Sequence, residues 1–129
     1  MKIKIMLPFL KDLSKNKRYA FKSSKMKNPE QLKAQNLIQL LCKKEILKGP
    51  SPKPKTKYGI GLIWHRSTMR GDVQNFINPM VDAIKEAMGV DDNYAYIMYA
   101  DWLYDKKQEP CFIIEVEYES LKKPAVASN

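Results

Sequence analysis

Three prolines, at positions 50, 52 and 54, stand in the run Gly49-Pro50-Ser51-Pro52-Lys53-Pro54-Lys55-Thr56-Lys57. No helix interior and no central strand continues through such a run, because each proline removes a backbone donor and fixes φ. The chain must therefore be assembled from two structured segments joined by an extended basic connector. That connector suits a phosphate backbone, and a plain connection explains it equally well.

The segment before the break reads as strand, loop and helix. Lys2–Leu7 alternates lysines with Ile3, Ile5 and Leu7, the period of a half-buried strand, and Pro8 ends it. Phe9–Lys27 is polar, basic and aperiodic, a long loop. Asn28-Pro29-Glu30 marks a helix start, with Asn as N-cap and Pro at the first helical position. The helix is expected to reach about Leu47 with Leu37, Ile38, Leu40 and Leu41 on its apolar face, and Gly49-Pro50 stops it.

Beyond the break, Tyr58–His65 reads as a core strand, with Ile60, Leu62 and Trp64 on one face and Ile63 on the other. After a turn at Ser67–Gly71, Asp72 caps a helix running to Met88, with Phe76, Met80, Val81, Ile84 and Met88 inward. Pro79 is expected to kink that helix or shorten its first turns. Tyr94–Trp102 is an aromatic-rich strand, Asp105–Glu109 a polar hairpin loop, and Cys111–Tyr118 a strand with Glu115 and Glu117 on its wet face. The expected architecture is α+β, a single domain with a mixed four-stranded sheet packed by two helices. It spans residues 1–120, followed by a flexible tail at 121–129.

A length of 129 residues supports one core, and 44% hydrophobic content argues against disorder. Cys42 and Cys111 fall in different elements, and no export signal or membrane-length apolar run is visible. A reduced, cytoplasmic protein without membrane partners is expected. Residues 1–57 hold 16 of the 23 Lys and Arg but only three acids, whereas the remainder has 7 basic and 11 acidic residues. The first half carries the electrostatic footprint of a polyanion partner. The acidic second half would repel that partner unless cations lie between. A basic surface kept for solubility is the plain alternative.

Lys15, Asn16, Lys17 and Arg18 suit backbone phosphates, with Lys11, Lys22, Lys25 and Lys27 extending the patch. Arg66 and Arg70 flank the turn before Asp72. Phe9 and Tyr19 could stack on bases or pack in the core. Two acidic groups stand out: Asp72 with Gln74 and Asn75, and the pair Asp91-Asp92. Magnesium or manganese takes such hard oxygen donors. The two groups could share an ion if the sheet brings the helix start near the following strand. The structural alternative is that Asp72 is simply an N-cap and Asp91-Asp92-Asn93 simply a turn. His65, the lone histidine, has no triad or zinc set beside it, and no glycine-rich phosphate loop is present.

The segment Arg70-Gly71-Asp72-Val73-Gln74-Asn75-Phe76, then Asp82-Ala83-Ile84 and Asp91-Asp92, resembles the RusA family of Holliday-junction resolvases. Leu7-Pro8-Phe9 followed by Ser14, Asn16, Arg18 and Tyr19 is similar to the family's N-terminal stretch. The resemblance implies a homodimer that binds branched DNA and cuts it with Mg2+ or Mn2+, in recombination, repair or phage genome processing. It implies catalytic Asp72, Asp91 and Asp92, metal ligands among Asp72, Gln74, Asp91 and Asp92, and DNA contacts that include Asn75. Two positions depart: Gln74 stands where the family has a second Asp, and Asn78, followed by Pro79, where it has a Lys. The first removes charge from the ion, the second a cation from the phosphate. Glu86, one turn beyond Asp82, could compensate, although a solvated helix face explains it too. The expected function is a metal-dependent endonuclease for branched DNA. The alternatives are a catalytically weakened junction-binding protein of the same fold and a basic RNA-binding protein.

Overall fold

Alternating apolar residues in four strands build one face of a single sheet. The computed structural model describes residues 1–14 and 28–121. The expected phosphate contacts Lys15, Asn16, Lys17 and Arg18, with Tyr19, Lys22, Lys25 and Lys27, lie outside the described residues, as does the tail from residue 122 onward. Strand β1 (Lys2–Pro8) is followed by a 3-10 turn at Lys11–Leu13 and helix α1 (Pro29–Ile46). Strand β2 (Tyr58–Arg66), a 3-10 turn at Val73–Phe76 and helix α2 (Ile77–Met88) come next. A 3-10 turn at Asp92–Tyr94, β3 (Ala95–Tyr104) and β4 (Cys111–Tyr118) complete the order. The result is the expected α+β domain with a mixed four-stranded sheet and two helices.

The sheet order is β1-β4-β2-β3. Strand β4 lies between β1 and β2 and is antiparallel to both, whereas β3 runs parallel to β2 on the outside. This corrects the expected hairpin at Asp105–Glu109. Strand β3 cannot pair with β4, because β2 stands between them, and the connection crosses the end of β2, where the Asp105 amide donates to the Arg66 carbonyl. A parallel pair needs a crossover, and α2 supplies it. On the inner face Ile3, Ile5 and Leu7, then Phe112, Ile114 and Val116, then Tyr58, Ile60, Leu62 and Trp64 are buried beneath the two helices. On the outer face Gly59 and Gly61 leave room for the side chains of Tyr96, Met98 and Tyr99, which lean across from β3.

The Asn28 side chain caps α1 by accepting from the Glu30 amide, and Pro29 sits in its first turn. The buried stripe of α1 is Gln31, Ala34, Gln35, Ile38, Cys42 and Ile46. Leu40, expected inward, is 66% exposed. The helix turns Ala34 and Ile38 to the core, and Leu40 lies about 200° of helix rotation from Ile38. Buried Gln31 donates to the carbonyls of Leu13 and Ser14, and Gln35 to that of Pro79, so two amides tie α1 to its neighbours. Pro79 shortens α2 as expected: the α-helix begins only at Ile77, and the preceding Val73–Phe76 is 3-10. In the first turn its missing donor costs nothing. Gly89 ends α2 with a positive φ of 68°, the left-handed cap that glycine accepts without strain. Cys42 is buried and Cys111 half-buried, and both are free thiols. No helix among the described residues is long and apolar enough to cross a membrane.

Candidate functional site

At the exit of β2 an arginine is folded inward. Arg66 is only 4% exposed, with its guanidinium 4.1 Å from the Trp64 ring centre and 5.0 Å from that of Trp102. Its Nε donates to the Thr68 carbonyl at 2.7 Å, and Nη2 donates to the carbonyls of Arg70 and Gly71, both at 2.9 Å. A planar fork with donors on several edges closes the turn on itself, which a lysine cannot do. Gly71, at φ 87°, supplies the left-handed residue of that turn. This corrects the reading of Arg66 as a DNA contact: its charge is committed to the backbone inside the protein. Arg70 remains exposed.

The clamped turn delivers Asp72 to the surface. Its side chain accepts from the Gln74 amide at 3.1 Å, and its carbonyl accepts from the Asn75 amide at 3.0 Å. Gln74 is exposed and Asn75 half-buried. Trp64, Phe76, Phe9 and Phe112 form an aromatic cluster behind this turn, with Phe9 stacked on Trp64 at 5.2 Å. Phe9 therefore packs in the core rather than serving as a base-stacking wedge.

The second acidic group lies at the entry of the parallel strands. Asp91 caps the Asp92–Tyr94 turn by accepting from the Asn93 amide at 3.0 Å. That bond, with a further contribution from Asp92 and from the positive charge of Lys85, holds the Asp91 carboxyl below the usual carboxylate range. Beneath it, buried Tyr58 donates its hydroxyl to the Val90 carbonyl at 3.1 Å. Burial, followed by the charges of Asp92 and Asp91, pushes the Tyr58 hydroxyl up to about 12.

The two acidic groups do not meet within one chain. Parallel pairing aligns Tyr58 with Ala95 at one end of the strands and Arg66 with Tyr104 at the other. Asp91 and Asp92 precede Ala95, while Asp72 follows the Arg66 turn, so they occupy opposite ends. The 12 residues of α2 separate them, with the 3-10 turn added; at about 1.5 Å per helical residue and about 2 Å per 3-10 residue the gap is more than about 20 Å. Among the described residues no group of three or more acidic, histidine or cysteine side chains is placed to hold a metal ion. Among the described residues, Asp72 with Gln74 at one end and Asp91 with Asp92 at the other are thus two separate groups. Asp82 and Glu86 join neither group: with Gln35, Asn36, Gln39 and Lys85 they line a groove of about 360 Å³ between the helices.

The sequence displays the cap at Asp72 and the turn at Asp91-Asp92-Asn93 but not the residues that position them. The signal for Arg66 was available: Trp64 and Arg66 are two apart on one strand, hence on the same face, which is the face that packs against the helices. No protein-family model matches this chain, and no curated protein matches it either.

Proposed function

We propose that the chain is an endonuclease for branched DNA, acting as a homodimer similar to the RusA resolvases. The observation that carries this reading is the presentation of Asp72 and Asp91 on backbone-capped turns at the protein surface. They are exposed carboxylates, each held by a backbone amide, in a chain whose formal net charge is +9. Exposed, backbone-capped acids in a strongly basic chain suit phosphodiester hydrolysis. In that reaction a water oxygen bonds to phosphorus, the bond to one sugar oxygen breaks, and the departing oxygen takes up a proton. A four-way junction has approximate two-fold symmetry, which a symmetric dimer matches.

The test is a synthetic four-way junction incubated with magnesium or manganese. Cleavage by the wild type that disappears with EDTA and with Asp72→Asn supports the reading. Tight junction binding without cleavage under either metal supports the second reading, a junction-holding protein. Gln74, Asn78 and the separation of the two acidic halves favour that version. In that case Gln74→Asp with Asn78→Lys is expected to raise activity. Stronger binding to structured RNA than to the junction at equal salt overturns both.

A further inference from the structure

We propose that Met6, His65 and Cys111, on three neighbouring strands, form a site for a soft monovalent cation, Cu(I) above all. The register of the sheet brings them together from distant parts of the chain. Cys111 stands directly opposite His65 in the β4–β2 pair. In the β1–β4 pair Pro8 is opposite Cys111 and Met6 opposite Ile113, so Met6 is diagonal to Cys111. Their chain neighbours Leu7, Trp64 and Phe112 are buried on the inner face. Alternation therefore turns Met6, His65 and Cys111 together to the outer face. Met6 is 66% exposed there, and His65 and Cys111 are half-buried.

Their spacing suits one ion. Opposite residues on antiparallel strands hold their Cβ atoms about 5 Å apart, and a diagonal neighbour lies about 7 Å away, within reach of a long side chain. A thiol and an imidazole close the shorter gap around a metal with bonds of about 2.3 and 2.0 Å. The unbranched thioether of methionine spans the longer one. Cys111 is a free thiol, and among the described residues neither it nor the His65 ring has a hydrogen-bond partner.

The rest of the outer face is already engaged. The Tyr99 hydroxyl donates to Glu115 across Gly61, Lys2 bridges Glu117 at 3.2 Å, and Lys4 stands opposite Glu115. Asp101, opposite Ile63, accepts from the Trp102 amide at 2.7 Å.

Donor softness and charge select the ion. Thiolate and thioether sulfurs favour Cu(I) over the hard ions that carboxylates hold. Binding breaks the Cys111 S–H bond and forms a sulfur–copper bond. The proton passes to solvent, and no oxidation state changes. One thiolate then neutralises one monovalent cation beside the apolar Ile63, Ile113 and Pro8. A divalent ion would leave charge uncompensated there, and zinc seeks four donors.

The full chain, titrated anaerobically with Cu(I) against a chromophoric chelator of that ion, is expected to withdraw one ion per chain. Cys111→Ser, His65→Gln and Met6→Leu should each weaken capture by about tenfold or more, since losing even a supporting group around a metal costs about that much. Leucine keeps the size and apolar character of Met6, so a loss there reports the thioether rather than the fold. Met69→Leu, at another exposed methionine, should change nothing. Cys42 competes little, because burial pushes its thiol up to about 12. In urea, with the three strands apart, capture should fall as it does in the variants. Capture unchanged by any one of the three substitutions, or undiminished in urea, overturns the site. So does displacement of the ion by excess Zn2+, which would mark harder donors such as Asp101. None of these readouts uses DNA, so the nuclease reading stands or falls separately.

Discussion

The two ends of the β2–α2–β3 unit carry the same device, an aspartate capping a short 3-10 turn, yet they are anchored by different chemistry. At the exit a buried cation, Arg66, is held between two indole rings and neutralised by three backbone carbonyls. At the entry a neutral phenol, Tyr58, gives one hydrogen bond to Val90 beneath two carboxylates. An ionic anchor fixes a whole turn but depends on every carbonyl it touches. A phenolic anchor is weaker and responds to alkali.

That contrast can be broken at each anchor. Arg66→Ala has the largest expected effect, about 3 kcal/mol or more in urea unfolding, because several carbonyls lose a charged donor inside the protein. Arg66→Lys should recover little, since an ammonium cannot reproduce the fork; full recovery would show that charge alone suffices. Tyr58→Phe should cost about 1 kcal/mol at neutral pH, the worth of one neutral hydrogen bond. It should also sharpen the comparison in alkali. The Tyr58 hydroxyl titrates higher in the folded chain than its ordinary 10.0, so its stabilisation is complete below pH 10 and lost as pH rises toward about 12. The advantage of wild type over Tyr58→Phe should therefore shrink across that window. Comparing the two cancels the similar contribution of Tyr99, also pushed up to about 12.

Asp72→Ala, which removes the exit cap and leaves Arg66 in place, should cost about 1 kcal/mol. Smallest is the acid response of the entry cap. Asp91 titrates lower when folded, so its contribution is present above the ordinary carboxylate value of 3.8 and fades as pH falls below it. Acid unfolding of wild type and Asp91→Asn should converge there; a gap that persists would mean that the Asn93 bond does not depend on charge.

Much of this unit was legible in the sequence. The period-two alternation of Ile60, Leu62 and Trp64, the cap at Asp72 and the interruption by Pro79 each have a local cause that a residue string displays. Leu40 was misread because four leucine and isoleucine residues close together suggest a stripe, while the true stripe includes Gln31 and Gln35, whose amides are buried only because the partners Leu13, Ser14 and Pro79 exist. The hairpin at Asp105–Glu109 failed for a similar reason. Which strand lies beside β3 is set by long-range pairing with β2, and a polar turn looks the same in a hairpin and in a crossover. The separation of Asp72 from Asp91 could have been read from the intervening helix alone, since a helix that joins parallel strands must put its two ends at opposite ends of them.

Strand β4, the last of the described strands to be synthesised, is the one that joins β1 to the rest of the sheet. Among the described residues β1 pairs only with β4, so it must wait for that neighbour while about a hundred residues are synthesised between them. Tyr58–Tyr104, by contrast, can assemble its parallel pair earlier. Closure of this sheet thus waits for its most distant partner in sequence, and any chain stopped short of Cys111 leaves β1 without the strand that holds it.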